Sequence, residues 1–272
     1  MTDMNDVGSI SSFDKQNMAC NPETTEDILK ILAKDADSAV RQAITRNPDP
    51  PIEILELLAF DKSEDVRRLV AHHPKTPEYV LKIMAEDIAD IVRHYVAINP
   101  NTALNTLGIL AKDESIFVES GVPSNPNVSE ELLEELAQNR FERVRKSVAE
   151  SPKTPEYILK KLTNDKEVAV RVSVAENPNA SEDVLKILLK DKDKNVRQEV
   201  AQNPRTPQSF LEILTKDQSA AVRHHVAENL NTPKDMLILL ASDEDAFVRL
   251  TVSRNPNTPA AALKILTGNI DL

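Results

Sequence analysis

Proline placement constrains this 272-residue chain more than any other feature. Pro22, Pro48, Pro74, Pro100, Pro126, Pro152, Pro178, Pro204 and Pro256 fall 26 residues apart in one phase, and Leu230 fills the single gap. Pro51, Pro77, Pro155, Pro207, Pro233 and Pro259 share a second phase three residues later. Leucine occupies every matching position from Leu29 to Leu263, and a second leucine column starting at Leu32 is broken only by Met84. Valine runs from Val40 to Val248 without exception, and a further aliphatic column runs from Ile44 to Val252. No insertion shifts the register. A fixed period of this length is the mark of supersecondary units that cannot bury their apolar faces alone and must stack.

Each repeat reads as two short helices. In Thr154-Pro155-Glu156 the threonine is a candidate N-cap, accepting from an orphan N–H. Proline at the first helical position has no donor to lose and a preset φ. Ile158, Leu159 and Leu162 then make one apolar stripe, and the helix is expected to stop near Asp165. A second segment, 167–176, sets Val170 and Val174 one turn apart and ends before Pro178, which pushes its predecessor out of the α region. Residues 11–20 align as a degenerate second helix, with Met18 and Ala19 in the apolar columns. Residues 259–267 supply a first helix only, with Gly268 as its C-terminal stop. The expected fold is an all-α solenoid of 26-residue two-helix repeats, nine complete repeats between half-repeat caps. Its expected layout is a flexible N-terminus at 1–10, a single helical-repeat solenoid over 11–268, and a tail at 269–272.

Segments such as NPNASEDVLKILLKDKDKNVRQEVAQNP, with the pattern NPNTP…LxxL…D…VRxxVAxNP, resemble the leucine-rich repeat variant family over roughly residues 12–267. The resemblance implies a right-handed superhelix in which α-helices alternate with 3-10 helices. It thus sets a 3-10 second segment against the α-helix that the Val170/Val174 spacing favours. Some members of that family carry an iron–sulfur domain ahead of the repeats. With Cys20 as its only cysteine this chain lacks the ligands for one, and that feature does not transfer. HEAT and armadillo repeats are the nearest relatives by appearance.

Two charged columns run through the repeat. Asp35, Asp61, Asp87, Asp113, Asp165, Asp191, Asp217 and Asp243 follow the first helix, and Arg41, Arg67, Arg93, Arg145, Arg171, Arg197, Arg223 and Arg249 follow the valine. They predict a ladder of ion pairs. The fourth repeat has Glu119 in place of arginine, and the fifth has Asn139 in place of aspartate. Paired exceptions in successive repeats imply that each arginine bonds the next repeat's aspartate, so Arg145 should meet Asp165. The fourth repeat also carries Gly121, and Pro123 where its neighbours have alanine, which predicts a shortened turn or a bend.

Chemistry-bearing motifs are scarce. A single cysteine forms no intrachain disulfide. The first 20 residues hold acids and no apolar run, so no secretory signal is expected. Nor does any run approach the ~18 apolar residues of a membrane span, and the expected location is the cytoplasm. The net charge of −11 disfavours a phosphate-backbone ligand. Four glycines build no phosphate loop, and no nucleophile elbow or HExxH appears. His72, His73, His94, His224 and His225 read as solvent-facing polar residues. No catalytic residue, cofactor or metal site is expected.

What remains is the variable face of the second segment. Leu69, Ile91, Tyr95, Ile98 and Phe117 are apolar where neighbouring repeats are polar, with His72 and His94 at their edge. Contiguous exposed apolar and aromatic side chains mark contact sites. Equally, these residues could fill a packing gap left by the irregular fourth repeat. Glu150, Glu176, Glu199 and Glu228 on the same face would select a basic segment. The expected function is a non-enzymatic scaffold binding a protein or peptide, without nucleic acid or membrane. The alternative is a HEAT-like accessory subunit or enzyme acting on nucleic acid or a bound small molecule.

Overall fold

A computed structural model describes residues 10–268; residues 1–9, with nearly all of the expected flexible N-terminus, and the expected tail at 269–272 lie outside the described residues. From the N-terminus the helices are α1 (Ser12–Cys20), α2 (Glu26–Leu32), α3 (Ser38–Ile44), α4 (Ile52–Leu58) and α5 (Glu64–His72). Next come α6 (Glu78–Met84), α7 (Asp90–Ile98), α8 (Leu104–Leu110), α9 (Ile116–Glu119) and α10 (Glu130–Leu136). A 3-10 turn, Val122–Ser124, stands between α9 and α10. Then follow α11 (Glu142–Glu150), α12 (Glu156–Leu162), α13 (Val168–Glu176), α14 (Glu182–Leu188) and α15 (Lys194–Gln202). The last are α16 (Gln208–Leu214), α17 (Ala220–Glu228), α18 (Lys234–Leu240), α19 (Ala246–Arg254) and α20 (Ala260–Leu266). Even numbers are first helices of seven residues; odd numbers are second helices, and no strand occurs among the described residues. The chain is an all-α repeat solenoid that divides into two compact bodies, Met1–Leu132 and Leu133–Leu272.

The apolar columns are the core. Leu55, Leu81, Leu107, Leu159, Leu185 and Leu211 are fully buried, as are the valines from Val40 to Val248 and the column from Ile44 to Val252. Each large aliphatic side chain removed from water contributes about 1.5–3 kcal/mol. Within each body the second helices pack closely on one another, while the first helices stand further apart. The 3-10 alternation implied by the family resemblance is absent here: most second segments are nine-residue α-helices, as the valine spacing favours. The fourth repeat departs as its sequence predicts. α9 ends after four residues, and the chain tightens into the 3-10 turn at Pro123, which has no N–H for an α-helical bond. The two ends also match expectation: α1 is N-capped by Ser11, and Gly268 adopts φ +67° just after α20.

The threonine–proline signal works one position away from the sequence expectation. Pro77, Pro155, Pro207 and Pro233 are themselves the N-caps, in extended conformation, and their carbonyls accept the first helical bonds. Where serine replaces that proline, at Ser181, its hydroxyl caps Val184 N–H. The preceding threonine serves the other helix. Thr76, Thr102, Thr154 and Thr232 are buried and donate backwards to the carbonyls of Val70, Val96, Val148 and Val226 at 2.5–2.6 Å. The buried hydroxyl adds a bond to a carbonyl in the last turn of the second helix, and at Val70, Val96 and Val148 that carbonyl also accepts a backbone N–H.

The asparagine that precedes most column prolines joins repeats together. Asn99 Nδ2 donates to the Ala71 and His73 carbonyls at 2.7 and 3.0 Å, and Asn177 does the same to Ala149 and Ser151 at 2.6 and 3.0 Å. Its Oδ1 accepts the N–H two residues on, at Asn101 and Asn179. Asn101 and Asn179 in turn donate to the Pro74 and Pro152 carbonyls of the preceding repeat. His73 takes the asparagine's place in its repeat. Its Nε2–H donates to the Asn47 carbonyl at 3.2 Å and its Nδ1 accepts from Lys75 N–H at 3.1 Å, so the neutral Nε2–H tautomer is required.

The ionic ladder runs across repeats. Arg145 Nε and Nη2 donate to Asp165 at 2.5 and 2.9 Å. The same fork joins Arg41 to Asp61, Arg67 to Asp87, Arg93 to Asp113, Arg171 to Asp191, Arg197 to Asp217 and Arg223 to Asp243. The third nitrogen, Nη1, donates to a backbone carbonyl of its own repeat: Asp165 for Arg171 and Asn139 for Arg145. Each aspartate also accepts the N–H two residues on, as Asp191 does from Asp193. Burial alone would push Asp191 and Asp217 up. The arginine fork and that N–H outweigh it and hold both below the usual carboxylate range.

Two measurements probe these joints. Asp191→Ala leaves the buried Arg171 guanidinium without its partner and should destabilise the fold by about 3–5 kcal/mol in urea denaturation, much more than the Arg171→Met/Asp191→Leu pair. Burial first, then Lys75 and His72, press the His73 imidazole below its ordinary value against the opposing pull of the Asn47 carbonyl. The unfolded chain therefore takes up a proton before the native state does. The stability His73 contributes is full above about pH 6.5 and declines as pH falls below it. His73→Asn should flatten the dependence of the urea midpoint on pH between about 7 and 5 relative to the parent.

Candidate functional site on the second-helix row

The N-terminal body places all seven sequence-selected residues on neighbouring second helices: Leu69 and His72 on α5, Ile91, His94, Tyr95 and Ile98 on α7, and Phe117 on α9. They are less open than a free docking surface. Only His72 is exposed, and the other six are half-buried. His72 meets Tyr95 edge-on at 5.1 Å between ring centroids, and Arg68 lies over the Tyr95 ring at 5.6 Å. His94 stacks on Phe117 at 3.8 Å, and its Nδ1 reaches the Phe117 carbonyl at 2.8 Å, which makes Nδ1 the protonated nitrogen.

This packing accounts for the odd glycine of the fourth repeat. Gly121 has an ordinary φ of −77°, so space, not backbone freedom, demands it. A Cβ there would stand 2.9 Å from His94 Nδ1 and 3.2 Å from Ile98 Cγ2. The glycine, the stacked imidazole and Phe117 are one packing unit, and the gap-filling reading of these apolar residues has direct support.

In the C-terminal body the same row is acidic. Glu150 ends α11 and Glu176 ends α13, both exposed, while Glu199 is half-buried on α15. Burial is the main cause that lifts the Glu176 carboxyl above its ordinary value, and the Glu199 and Glu150 charges add to it against Lys146. Burial likewise raises Glu199. Lys146 bridges to Glu150 at 3.1 Å, and Ser173 donates to Glu150 at 3.4 Å.

Two features escaped the sequence reading. Ile31, Leu57, Ile83 and Ile109 of the N-terminal body share one phase on first helices and are 38–54% exposed; Ile187, Ile213, Leu239 and Ile265 repeat the pattern in the C-terminal body. Their period equals that of the core columns, so periodicity alone could not separate them from buried leucines. The second is a convergence of His224, His225 and Glu228 on α17, whose ligand-type atoms lie within 4.8 Å of one another. The spacing His-His-x-x-Glu, one helical face at i and i+4, was the available signal.

No family model matches the chain, and no curated protein matches it. Among solved structures it is similar to "a leucine-rich repeat variant with a novel repetitive protein structural motif". Identity is 23%, over 90% of this chain and 96% of that one, with a TM-score of 0.60. An Escherichia coli protein, YibA, aligns over 97% of this chain and 98% of its own with 17% identity and a TM-score of 0.42. A computationally designed armadillo repeat protein for modular peptide recognition aligns over 93% and 98% with 14% identity and a TM-score of 0.20. At these identities the likeness bears on fold alone. Among the described residues no helix is long and apolar enough to cross a membrane.

Gly121→Ala should destabilise the fold by about 1–3 kcal/mol through overpacking. In a His94→Ala background the same change should cost almost nothing, or gain up to about 1 kcal/mol from alanine's helix propensity. A double-mutant cycle in urea measures the difference.

Proposed function

We propose that this chain, a helical-repeat protein with the fold of the leucine-rich repeat variant, is a non-enzymatic scaffold that holds a basic protein or peptide segment on its second-helix row. The observation that carries the reading is the acidic row of the C-terminal body. Glu176 and Glu199 carry charge at an energetic cost, since burial disfavours both ionised forms and neighbouring carboxylates add to this at Glu176. A lysine or arginine side chain laid along α13 and α15 would relieve that cost, whereas an acidic or phosphate-bearing ligand would raise it. The row of Leu69, Ile91, His94, Tyr95, Ile98 and Phe117, with exposed His72 at its edge, is the second contact surface we assign, offering ring faces and edges to apolar groups of a partner. The scaffold reading also fits the described chemistry: the repeat's buried polar groups are spent on joining neighbours. On this reading the protein works in the cytoplasm.

Fluorescence anisotropy with a labelled lysine/arginine-rich peptide and its glutamate-substituted counterpart tests the assignment. The basic peptide should bind, more weakly as salt rises. Glu176→Gln/Glu199→Gln should weaken binding by at least about tenfold, the low end of measured couplings for close charge pairs. Equal affinity for both peptides, or an affinity the double variant leaves unchanged, would remove the basic partner from the proposal.

A further inference from the structure

On α17 the eighth repeat brings together three metal-ligating side chains found in no other repeat: His224, His225 and Glu228. The local geometry is ordered around them. Thr251 of α19 donates its hydroxyl to the Phe247 carbonyl at 2.9 Å. Its oxygen is thereby left to accept, and His224 Nδ1 lies 2.8 Å from it. With the hydroxyl hydrogen on the Phe247 carbonyl, His224 meets Thr251 through Nδ1–H and its Nε2 lone pair is free. Ligating histidines are held in the same way, one ring nitrogen donating to a protein oxygen so that the other can bind metal. His225 supplies the second unusual group. Its Nδ1 is shut away from solvent and makes no hydrogen bond. Glu228 Oε2 stands 3.3 Å from it. Two donors at about 2.0–2.1 Å from a tetrahedral zinc ion are about 3.3 Å apart. A cleft of about 400 Å³ adjoins both side chains, lined also by Gln202, Asn229 and Leu230. Leu230 is the residue that breaks the proline column, so the one irregular corner of this series borders the cluster.

We propose that His224, His225 and Glu228 bind a divalent transition-metal ion of borderline softness, zinc being the type case. Two neutral imidazoles and one carboxylate suit zinc more than calcium or magnesium, which favour oxygen ligands. Three protein ligands leave a coordination position open to water or to a group from a partner. Thr251 is a positioning residue: it touches no metal and sets the His224 tautomer. The site shares Glu228 with the acidic face, but Glu176 and Glu199, the carboxylates that carry the basic-peptide reading, do not belong to it, so the two readings fail separately.

Isothermal titration calorimetry of the chelator-treated full chain with zinc chloride is the test, paired with the visible absorption spectrum on adding cobalt. One ion per chain should bind at micromolar concentration, and cobalt should give the intense bands of low-coordinate geometry. His224→Ala and Glu228→Ala, both checked by circular dichroism, should each weaken binding by more than about tenfold, since even second-sphere losses cost about 10- to 100-fold. Thr251→Val, with all three ligands intact, should weaken it by about tenfold. Binding only at millimolar zinc would overturn the proposal. So would tight binding that survives both ligand variants, which would move the ion to His72 and His94. Glu228 is exposed, so its variant keeps the test decisive should a histidine variant fail to fold.

Discussion

The corner between one repeat and the next carries backbone carbonyls that the helices cannot satisfy and that water does not reach. Everything else rests on how those groups are paired. At most corners a buried asparagine of the following repeat donates to carbonyls of the preceding one, as Asn177 does to Ala149 and Ser151. A buried threonine bonds a carbonyl in the last turn of the second helix, and an arginine fork ties the first-helix loops together. An unmet carbonyl in such a place costs about 1–3 kcal/mol. The repeat's most regular polar residues are therefore structural, and the variable residues are the ones left to carry function.

Much of the architecture is legible from spacing. The leucine and valine columns are the core, and the exchange of Glu119 and Asn139 correctly predicts that Arg145 bonds Asp165. The valine spacing favours α-helix over the 3-10 form implied by family resemblance, and the second segments are α-helical. Local rules misplace the threonine–proline pair. Proline's φ suits the extended N-cap as well as the first helical position, and the sequence does not reveal that a buried carbonyl six residues back claims the threonine hydroxyl. Nor does it distinguish Leu29 from Ile31: both recur every 26 residues, and only the packing shows one buried and the other facing solvent.

The candidate surfaces were legible in part. The aromatic row lies on neighbouring second helices as its sequence phase implies, and its rings are packed on one another. His94 stacked on Phe117 over Gly121 shows one repeat's irregularity absorbed by its neighbour. The acidic row differs, because its carboxylates gain nothing from each other. The convergence of His224, His225 and Glu228 on α17 escaped the sequence reading because two adjacent histidines read as surface residues. Only the buried Nδ1 and the Thr251 hydroxyl give them a direction.

The corner bonds also have an arrow. Each asparagine of the column looks back to carbonyls already made, and the arginines from Arg41 to Arg223 look forward to an aspartate 20 residues further along the chain, as Arg171 does to Asp191. What a repeat lacks is supplied by the one after it. On a ribosome the N-terminal repeat emerges first, with its arginine and corner carbonyls waiting, and the next repeat completes them on arrival. Synthesis and assembly thus proceed in one direction, and each newly made repeat closes the one behind it while leaving its own leading edge open to its successor.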